Sequence, residues 1–280
     1  MSLRPLPVTD TRPLFRPAAH ALLDLLAGLE PGDWQRPTVA GSWRVRDVVA
    51  HLVDTALRRL TVDRDGQPLP PPPMPIRTER GFVTLINTLN AEWVRVAQRL
   101  SPAVLVELYR IAGLQLASYF ESAALDAPAR FPVSWAGEAE SQAWFDIGRE
   151  FTEVWHHQMQ IRDAVSAPLD RPEWLRAVLE IAIRVLPHAF RAVEAAEGAA
   201  VVVDVTGTGG GQWTLQRERS RWTLMEGSVP SSSARAALPA DVAWKLLFNA
   251  IPLAAASEQV AFEGDQRYKE PLLAARSVIV

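Results

Sequence analysis

Phe151-Thr-Glu-Val-Trp-His-His-Gln-Met-Gln-Ile-Arg162 has the residue pattern of a helix that packs in a bundle. In a helical projection, the apolar residues of this stretch and of the residues that flank it form one broad face, as is typical of an α-helix in a bundle. In such a helix Glu153 and His157 are four residues apart and project from one side. The stretch therefore predicts a helix on which two side chains of metal-binding type lie one turn apart.

A third ligand is predicted from a second helix about a hundred residues upstream, where Val48-Val-Ala-His-Leu-Val53 contains His51. At about 100° per residue, His51 borders the apolar face of its own helix, and His157 lies just outside the apolar face of the other. His156 points about 100° away from His157, towards solvent, which makes it the weaker candidate. Metal sites inside helical bundles are built from side chains on facing helices in this way.

The same residues can also be interpreted as purely structural, with no metal bound. A histidine at the border of an apolar face is commonly a boundary residue whose hydrogen bonds are satisfied locally. A glutamate and a histidine four residues apart can also form a local hydrogen bond and no more.

Composition excludes several classes of protein. The net charge of −3 over 280 residues, with charges dispersed along the chain, argues against a nucleic-acid surface, which needs a basic excess. No apolar run approaches the roughly 20 residues of a membrane span, and the N-terminus lacks the apolar core of a signal peptide, so a cytoplasmic protein is predicted. The chain has no cysteine, so thiol chemistry would require a thiol from outside.

Periodicity divides the chain into a helical bundle over residues 1–197 and a small α+β domain over residues 198–280. Helices are predicted in the first part at residues 18–29, 45–60, 78–100, 101–124, 141–165 and 173–197, the last kinked or split at Pro187. Strands are predicted in the second part at residues 199–206, 212–217, 221–225 and 259–263, with helices at residues 239–249 and 266–275.

Two low-complexity stretches need an interpretation. The proline-rich residues 67–75 predict a stiff, polyproline-like loop, with a docking motif for an SH3-type partner as the alternative. Gly207-Thr-Gly-Gly-Gly211 could suggest a nucleotide-binding loop, but it leads into a strand pattern rather than a helix. A hairpin turn explains these glycines better.

The segment from Asp33 to Leu52 (DWQRPTVAGSWRVRDVVAHL) resembles the N-terminal signature of the DinB-like, mycothiol-dependent maleylpyruvate isomerase family. Glu153-x-x-x-His157 followed by Gln158 is similar to the second metal segment of that family. Three C-terminal stretches resemble the sterol-carrier-like domain often fused to it: Trp244-Lys-Leu-Leu-Phe248, Phe262-Glu-Gly-Asp265 and Leu272-Leu273. Arg44 departs from the family pattern, in which Ser or Thr usually caps the second helix.

The resemblance implies an up-and-down four-helix bundle that holds a divalent metal through His51, Glu153 and His157. Zinc is the expected ion and nickel the alternative, with an exogenous thiol such as mycothiol or bacillithiol as cosubstrate. The implied activity is isomerisation of, or S-transfer to, a small electrophilic substrate, by a monomer or a homodimer. A non-catalytic metal- or ligand-binding bundle and a metal-dependent hydrolase are the alternatives.

An arginine is expected to hold the oxyanion or carboxylate of the substrate. Arg267 is the predicted catalytic residue, and Arg80 and Arg162 are the alternatives. Two tryptophans, Trp43 and Trp155, are predicted either to wall the pocket or to pack in the core. Asp54, one turn from His51, is predicted either to support that ligand or to be a solvated surface residue.

Overall fold

The computed structural model describes residues 3–68, 70–72 and 78–278, so the proline-rich residues 67–75 lie partly outside the described part. The chain forms two compact units. The helical unit contains Thr11–Ala124 and Glu153–Leu169. The sheet unit contains residues 3–10, Leu125–Thr152 and Asp170–Val278. Compact structural units need not coincide with evolutionary domains. The domain boundary between residues 197 and 198 therefore stays a prediction, and so does the sterol-carrier-like character of the C-terminal part.

The helical unit is built from amphipathic helices, which confirms the predicted bundle. Its helices are α1 (Arg12–Ala27), α2 (Val45–Arg59), α3 (Glu79–Ala97), α4 (Pro102–Glu121) and the C-terminal half of α5 (Ala143–Val165). Helix α2 continues as a short π-helix, Leu60–Arg64. Helix α4 packs against α1 and α2, and α2 also packs against α3. Within the described part of the chain, no helix is both long and apolar enough to cross a membrane.

Local side-chain contacts explain where three of these helices begin. The Ser101 hydroxyl accepts a hydrogen bond from the backbone N–H of Val104 at 3.3 Å, with Pro102 opening α4. Thr78 caps α3 in the same way. At α2 the capping position is Arg44, whose backbone N–H donates to Oδ2 of Asp47 at 3.0 Å. Asp47 therefore supplies the half of a capping box in which a carboxylate in the first turn accepts from the N–H of the capping residue.

Removing the cap of α4 is expected to lower stability modestly. In Ser101→Ala the N–H of Val104 loses its acceptor, which typically costs about 1 kcal/mol of unfolding free energy. Urea unfolding followed by circular dichroism measures the loss. Ser101→Asp keeps an acceptor oxygen and should stay near the wild type, so equal losses in both variants would contradict a capping role.

The sheet unit contains one six-stranded sheet with the strand order β1-β4-β3-β2-β5-β6. Strands β2 and β5 are parallel, and the other neighbours are antiparallel. Its strands are β1 (Arg4–Pro5), β2 (Ala200–Thr206), β3 (Gly211–Glu218), β4 (Arg221–Glu226), β5 (Ala234–Pro239) and β6 (Ala261–Gly264). Its helices, besides the first turns of α5, are α6 (Pro172–Ala182), α7 (Leu186–Ala189), α8 (Ala240–Leu247), α9 (Leu253–Glu258) and α10 (Lys269–Ala274). The predicted mainly α fold with a small α+β part is confirmed.

The glycine-rich stretch is a hairpin connection, as predicted. It joins the antiparallel strands β2 and β3, and Gly207 and Gly209 adopt φ angles of 94° and 80°. A side chain at Gly210 would place its Cβ 2.1 Å from the carbonyl oxygen of Val205. Backbone geometry and close packing of the turn therefore account for these glycines.

The predicted helix over residues 173–197 differs from the observed structure. Helix α6 ends at Ala182, a 3-10 turn covers Ile183–Val185, and α7 begins at Leu186. The helix is thus split rather than kinked, with the break before Pro187, which lies in the first turn of the new helix, where its missing N–H costs no hydrogen bond. Residues 190–197 are outside the helix. Strand β5 and helix α9 were not predicted.

Candidate metal centre

Three side chains of metal-binding type meet in the helical unit. His51 comes from α2, and Glu153 and His157 come from α5; each offers a ligand atom, and these atoms all lie within 4.8 Å of one another. Oε1 of Glu153 lies 3.1 Å from Nε2 of His51 and 3.2 Å from Nε2 of His157. The structure therefore brings together the three residues predicted from the sequence, and their binding of a metal remains a proposal.

The spacing of these donor atoms fits a small divalent cation. In a tetrahedral zinc site with bonds of about 2.0–2.1 Å, donor atoms stand about 3.3 Å from one another. The distances of 3.1 Å and 3.2 Å from the carboxylate oxygen to the two imidazole nitrogens are close to this value. Two imidazoles and one carboxylate are also a ligand set that zinc accepts.

The hydrogen bond of His157 on its other side favours a cation at this place. Nδ1 of His157 lies 2.7 Å from Oε1 of Gln160. An amide oxygen can only accept, so Nδ1 carries the proton and Nε2 of the neutral ring presents a lone pair to Glu153. Two acceptors 3.2 Å apart repel each other unless a positive charge lies between them. A proton, which makes the ring an imidazolium, or a metal ion satisfies this requirement.

Burial and nearby charges favour the protonation states in which His51 and Glu153 can bind a metal. The pKa of His51 is lowered to about 4, chiefly by burial and further by the charges of His157 and Arg58, against the hydrogen bond to Glu153. His51 is therefore neutral at physiological pH, as a metal ligand must be. Burial raises the pKa of Glu153, but the hydrogen bonds that its carboxylate accepts from His51 and from the imidazolium form of His157, together with the charges of His157 and His156, outweigh burial. The pKa of Glu153 is held well below its ordinary value, and the carboxylate is ionised.

A tryptophan borders the two imidazoles. The Trp43 ring centroid lies 4.9 Å from that of His51 and 6.3 Å from that of His157, and Trp43 is half-buried. Trp155 is a buried residue of α5. Trp93, which was not considered from the sequence, donates its indole N–H to the carbonyl oxygen of Ala50 at 2.7 Å. This bond anchors α3 to α2 one residue before His51.

The predicted orientation of His156 was wrong. Its side chain is only 4% exposed, and its ring centroid lies 4.1 Å from that of His157. The helical wheel describes one helix by itself, whereas residues 154–158 of α5 are all buried, so this turn is covered on every side. His156 is nevertheless outside the group of converging ligand atoms.

Other candidates have structural partners. Asp54 pairs with Arg58 at 3.0 Å rather than with His51. Arg162 donates to the carbonyl oxygens of Ala21 and Ala167 at 2.9 Å and 3.2 Å and holds the end of α5. The side chain of Arg80 is not among those described.

Arg267 belongs to the sheet unit and is exposed. It pairs with Asp265 at 2.8 Å, and its guanidinium carbon lies 4.9 Å from the ring centroid of Tyr268. The catalytic role of Arg267 stays a prediction.

Comparison with known proteins agrees with this fold. The family model for the mycothiol maleylpyruvate isomerase N-terminal domain matches residues 15–162, which include all three candidate ligands. A crystal structure of the mycothiol-dependent maleylpyruvate isomerase and one of its histidine-to-alanine mutant are similar, with TM-scores of 0.55 and 0.56. Each is 13% identical and covers 92% of this chain and 93% of the other. At this identity the likeness concerns the fold. A search of curated protein sequences found no match.

Proposed function

Because the chain belongs to the mycothiol maleylpyruvate isomerase N-terminal domain family, we propose that it is a metal-dependent enzyme that uses an exogenous thiol. The proposed reaction is isomerisation about the activated double bond of a small unsaturated keto acid of the maleylpyruvate type. The observation that carries this proposal is the convergence of His51, Glu153 and His157, with ligand atoms within 4.8 Å. Zinc is the expected ion and nickel the alternative.

The number of ligands favours a catalytic site over a structural one. Structural zinc sites use four protein ligands, whereas catalytic sites use three and leave a position open. Among the described residues, the group of converging ligand atoms has three members. A divalent metal held by His51, Glu153 and His157 would favour the thiolate form of an exogenous thiol at neutral pH, the form that adds reversibly to an activated double bond.

The protein's own side chains prepare this site in three ways. The ionised carboxylate of Glu153 supplies one negative charge against the two of the ion, so the site retains net positive charge to attract an anionic thiolate. Burial keeps His51 neutral and able to bind. The half-buried indole of Trp43 lies beside both imidazoles, with ring centroids 4.9 Å from His51 and 6.3 Å from His157, and supplies an apolar border to the site.

The thiol has to come from outside, because the chain contains no cysteine. A metal-dependent hydrolase would not need it, and an S-transferase would leave the thiol attached to the product. The requirement for a thiol and the identity of the product therefore distinguish these activities from an isomerase.

The purified protein is expected to isomerise maleylpyruvate only when a divalent metal and mycothiol are both present. The metal would be removed with a chelator, checked by plasma mass spectrometry and added back as zinc or nickel. The reaction would be followed by absorbance and its product identified by chromatography. Loss without metal and recovery on its return support the proposal. Isomerisation by the metal-free protein would contradict it, and a stable thioether product would assign S-transfer instead.

A further inference from the structure

We propose that Gln160 is a positioning residue of the metal centre, which selects the tautomer of His157 that binds the ion. This inference rests on the proposed function, since it assigns a partner to one of the proposed ligands. Gln160 lies on α5, three residues after His157, so the two side chains are neighbours on the helix surface. The spacing Glu-x-x-x-His-x-x-Gln thus places ligand, ligand and support along one side of α5.

The contact is short and is shielded from water. Oε1 of Gln160 lies 2.7 Å from Nδ1 of His157, and both side chains are buried, Gln160 being 4% exposed. Water therefore does not compete for Nδ1. Because the amide oxygen accepts, the proton of a neutral His157 resides on Nδ1. The lone pair is left on Nε2, the atom that lies 3.2 Å from Oε1 of Glu153.

The second histidine of the site lacks this support. Nδ1 of His51 is buried and has no hydrogen-bond partner in the described part of the chain, and Nε2 contacts Glu153 at 3.1 Å. His51 can therefore carry its proton on Nε2 when it pairs with Glu153 and must move it to Nδ1 to bind an ion. His157 holds its binding tautomer beforehand. A ligand histidine commonly gives its other N–H to an acceptor that fixes ring and tautomer.

A simpler role for Gln160 is to satisfy a buried hydrogen bond and stabilise the helix. The two roles differ in what they predict. A purely structural contact changes the free energy of unfolding and leaves metal affinity alone. Selection of a tautomer changes metal affinity and the protonation pattern of one imidazole.

The test compares Gln160→Leu with Gln158→Leu, measuring zinc affinity by competition with a chelator. Gln158 is a matched control because it is a fully buried glutamine of the same helix whose side-chain amide lies beside the backbone nitrogen of Leu22 on α1 and is outside the group of converging ligand atoms. Both variants should lose stability in thermal unfolding. Gln160→Leu is expected to bind zinc about 10- to 100-fold more weakly, whereas Gln158→Leu should bind like the wild type. Equal affinity in both variants would overturn the proposal.

A third variant tests whether weak zinc binding by Gln160→Leu comes from the lost hydrogen-bond acceptor or from misfolding. In Gln160→Glu a carboxylate accepts the same hydrogen bond more strongly, so zinc affinity should equal or exceed that of the wild type. A Gln160→Glu protein that folds but binds as weakly as Gln160→Leu would argue against an acceptor role.

The tautomer of His157 can be determined by NMR in the metal-free protein. Long-range proton–nitrogen correlation spectra of the metal-free protein at alkaline pH report which nitrogen of each neutral imidazole is protonated. The chain has five histidines, and His157→Ala identifies the signal of interest. The wild type is expected to show His157 protonated on Nδ1, and Gln160→Leu to show a mixture. An unchanged tautomer in Gln160→Leu would refute the inference. If the wild type binds no metal, the proposed function fails, while this spectrum still tests the control of His157 by Gln160.

Discussion

His157→Ala is expected to lose the divalent metal. The variant removes one of three proposed protein ligands and leaves His51 and Glu153 to hold the ion alone. Outer-shell substitutions typically cost about 10- to 100-fold in metal affinity, so removal of a direct ligand should cost at least about 100-fold. After gel filtration in metal-free buffer, plasma mass spectrometry should find about one ion per chain in the wild type and almost none in the variant. Thiol-dependent isomerisation should be lost with the metal.

His20→Ala provides the control for this experiment. His20 is an exposed histidine of α1 in the same helical unit, and it is outside the group of converging ligand atoms. Its removal tests whether an ordinary surface histidine accounts for the bound metal. The control should keep the metal content and the activity of the wild type. Full metal content in His157→Ala would contradict the assignment of this residue as a ligand.

Leu52→Ala is expected to produce the largest loss of stability. Leu52 follows His51 in α2, is 1% exposed, and belongs to a hydrophobic core cluster of the helical unit. Truncation of a buried leucine to alanine removes apolar contacts and leaves a cavity, which costs about 2–5 kcal/mol of unfolding free energy. Urea unfolding at equilibrium, followed by tryptophan fluorescence and circular dichroism, measures this difference.

Leu57→Ala is the matched control on the same helix. Leu57 is 38% exposed, so its truncation leaves no closed cavity, and alanine is the better helix former. Its unfolding free energy should stay within about 0.5 kcal/mol of the wild type. Equal effects of the two substitutions would show that the leucine at position 52 does not pack in the core as described.

Much of the fold was predictable because it depends on local patterns. The apolar spacing in the helices of the bundle and the glycine-rich hairpin between β2 and β3 were predicted correctly. Strand β5 was missed because its short sequence, Ala234–Pro239, acquires its identity from parallel pairing with β2, a strand about thirty residues earlier. The break at Ile183 was placed too late because proline is tolerated in the first turn of a helix.

The three candidate ligands were predicted from the sequence, but the residue proposed to position one of them was not. Glu153 and His157 share one side of α5 through helical geometry alone, and His51 was predicted from its place at the border of the apolar face of α2, in agreement with the resemblance to the family. Gln160 was overlooked although its three-residue spacing from His157 was the available signal. The burial of His156 had no such signal, because a wheel drawn for one helix does not show how many neighbours surround it.

The helices of the bundle, the four-residue spacing of Glu153 and His157, and the absence of a thiol from the chain follow from the sequence alone, since each depends on local geometry or composition. The packing of the chain places Nε2 of His51 3.1 Å from Oε1 of Glu153, a residue 102 positions later in the sequence. It also decided that burial keeps His51 neutral and that the amide oxygen of Gln160 faces His157. Periodicity acts between residues close in sequence, whereas ligand convergence, desolvation and hydrogen-bond direction depend on how distant segments pack.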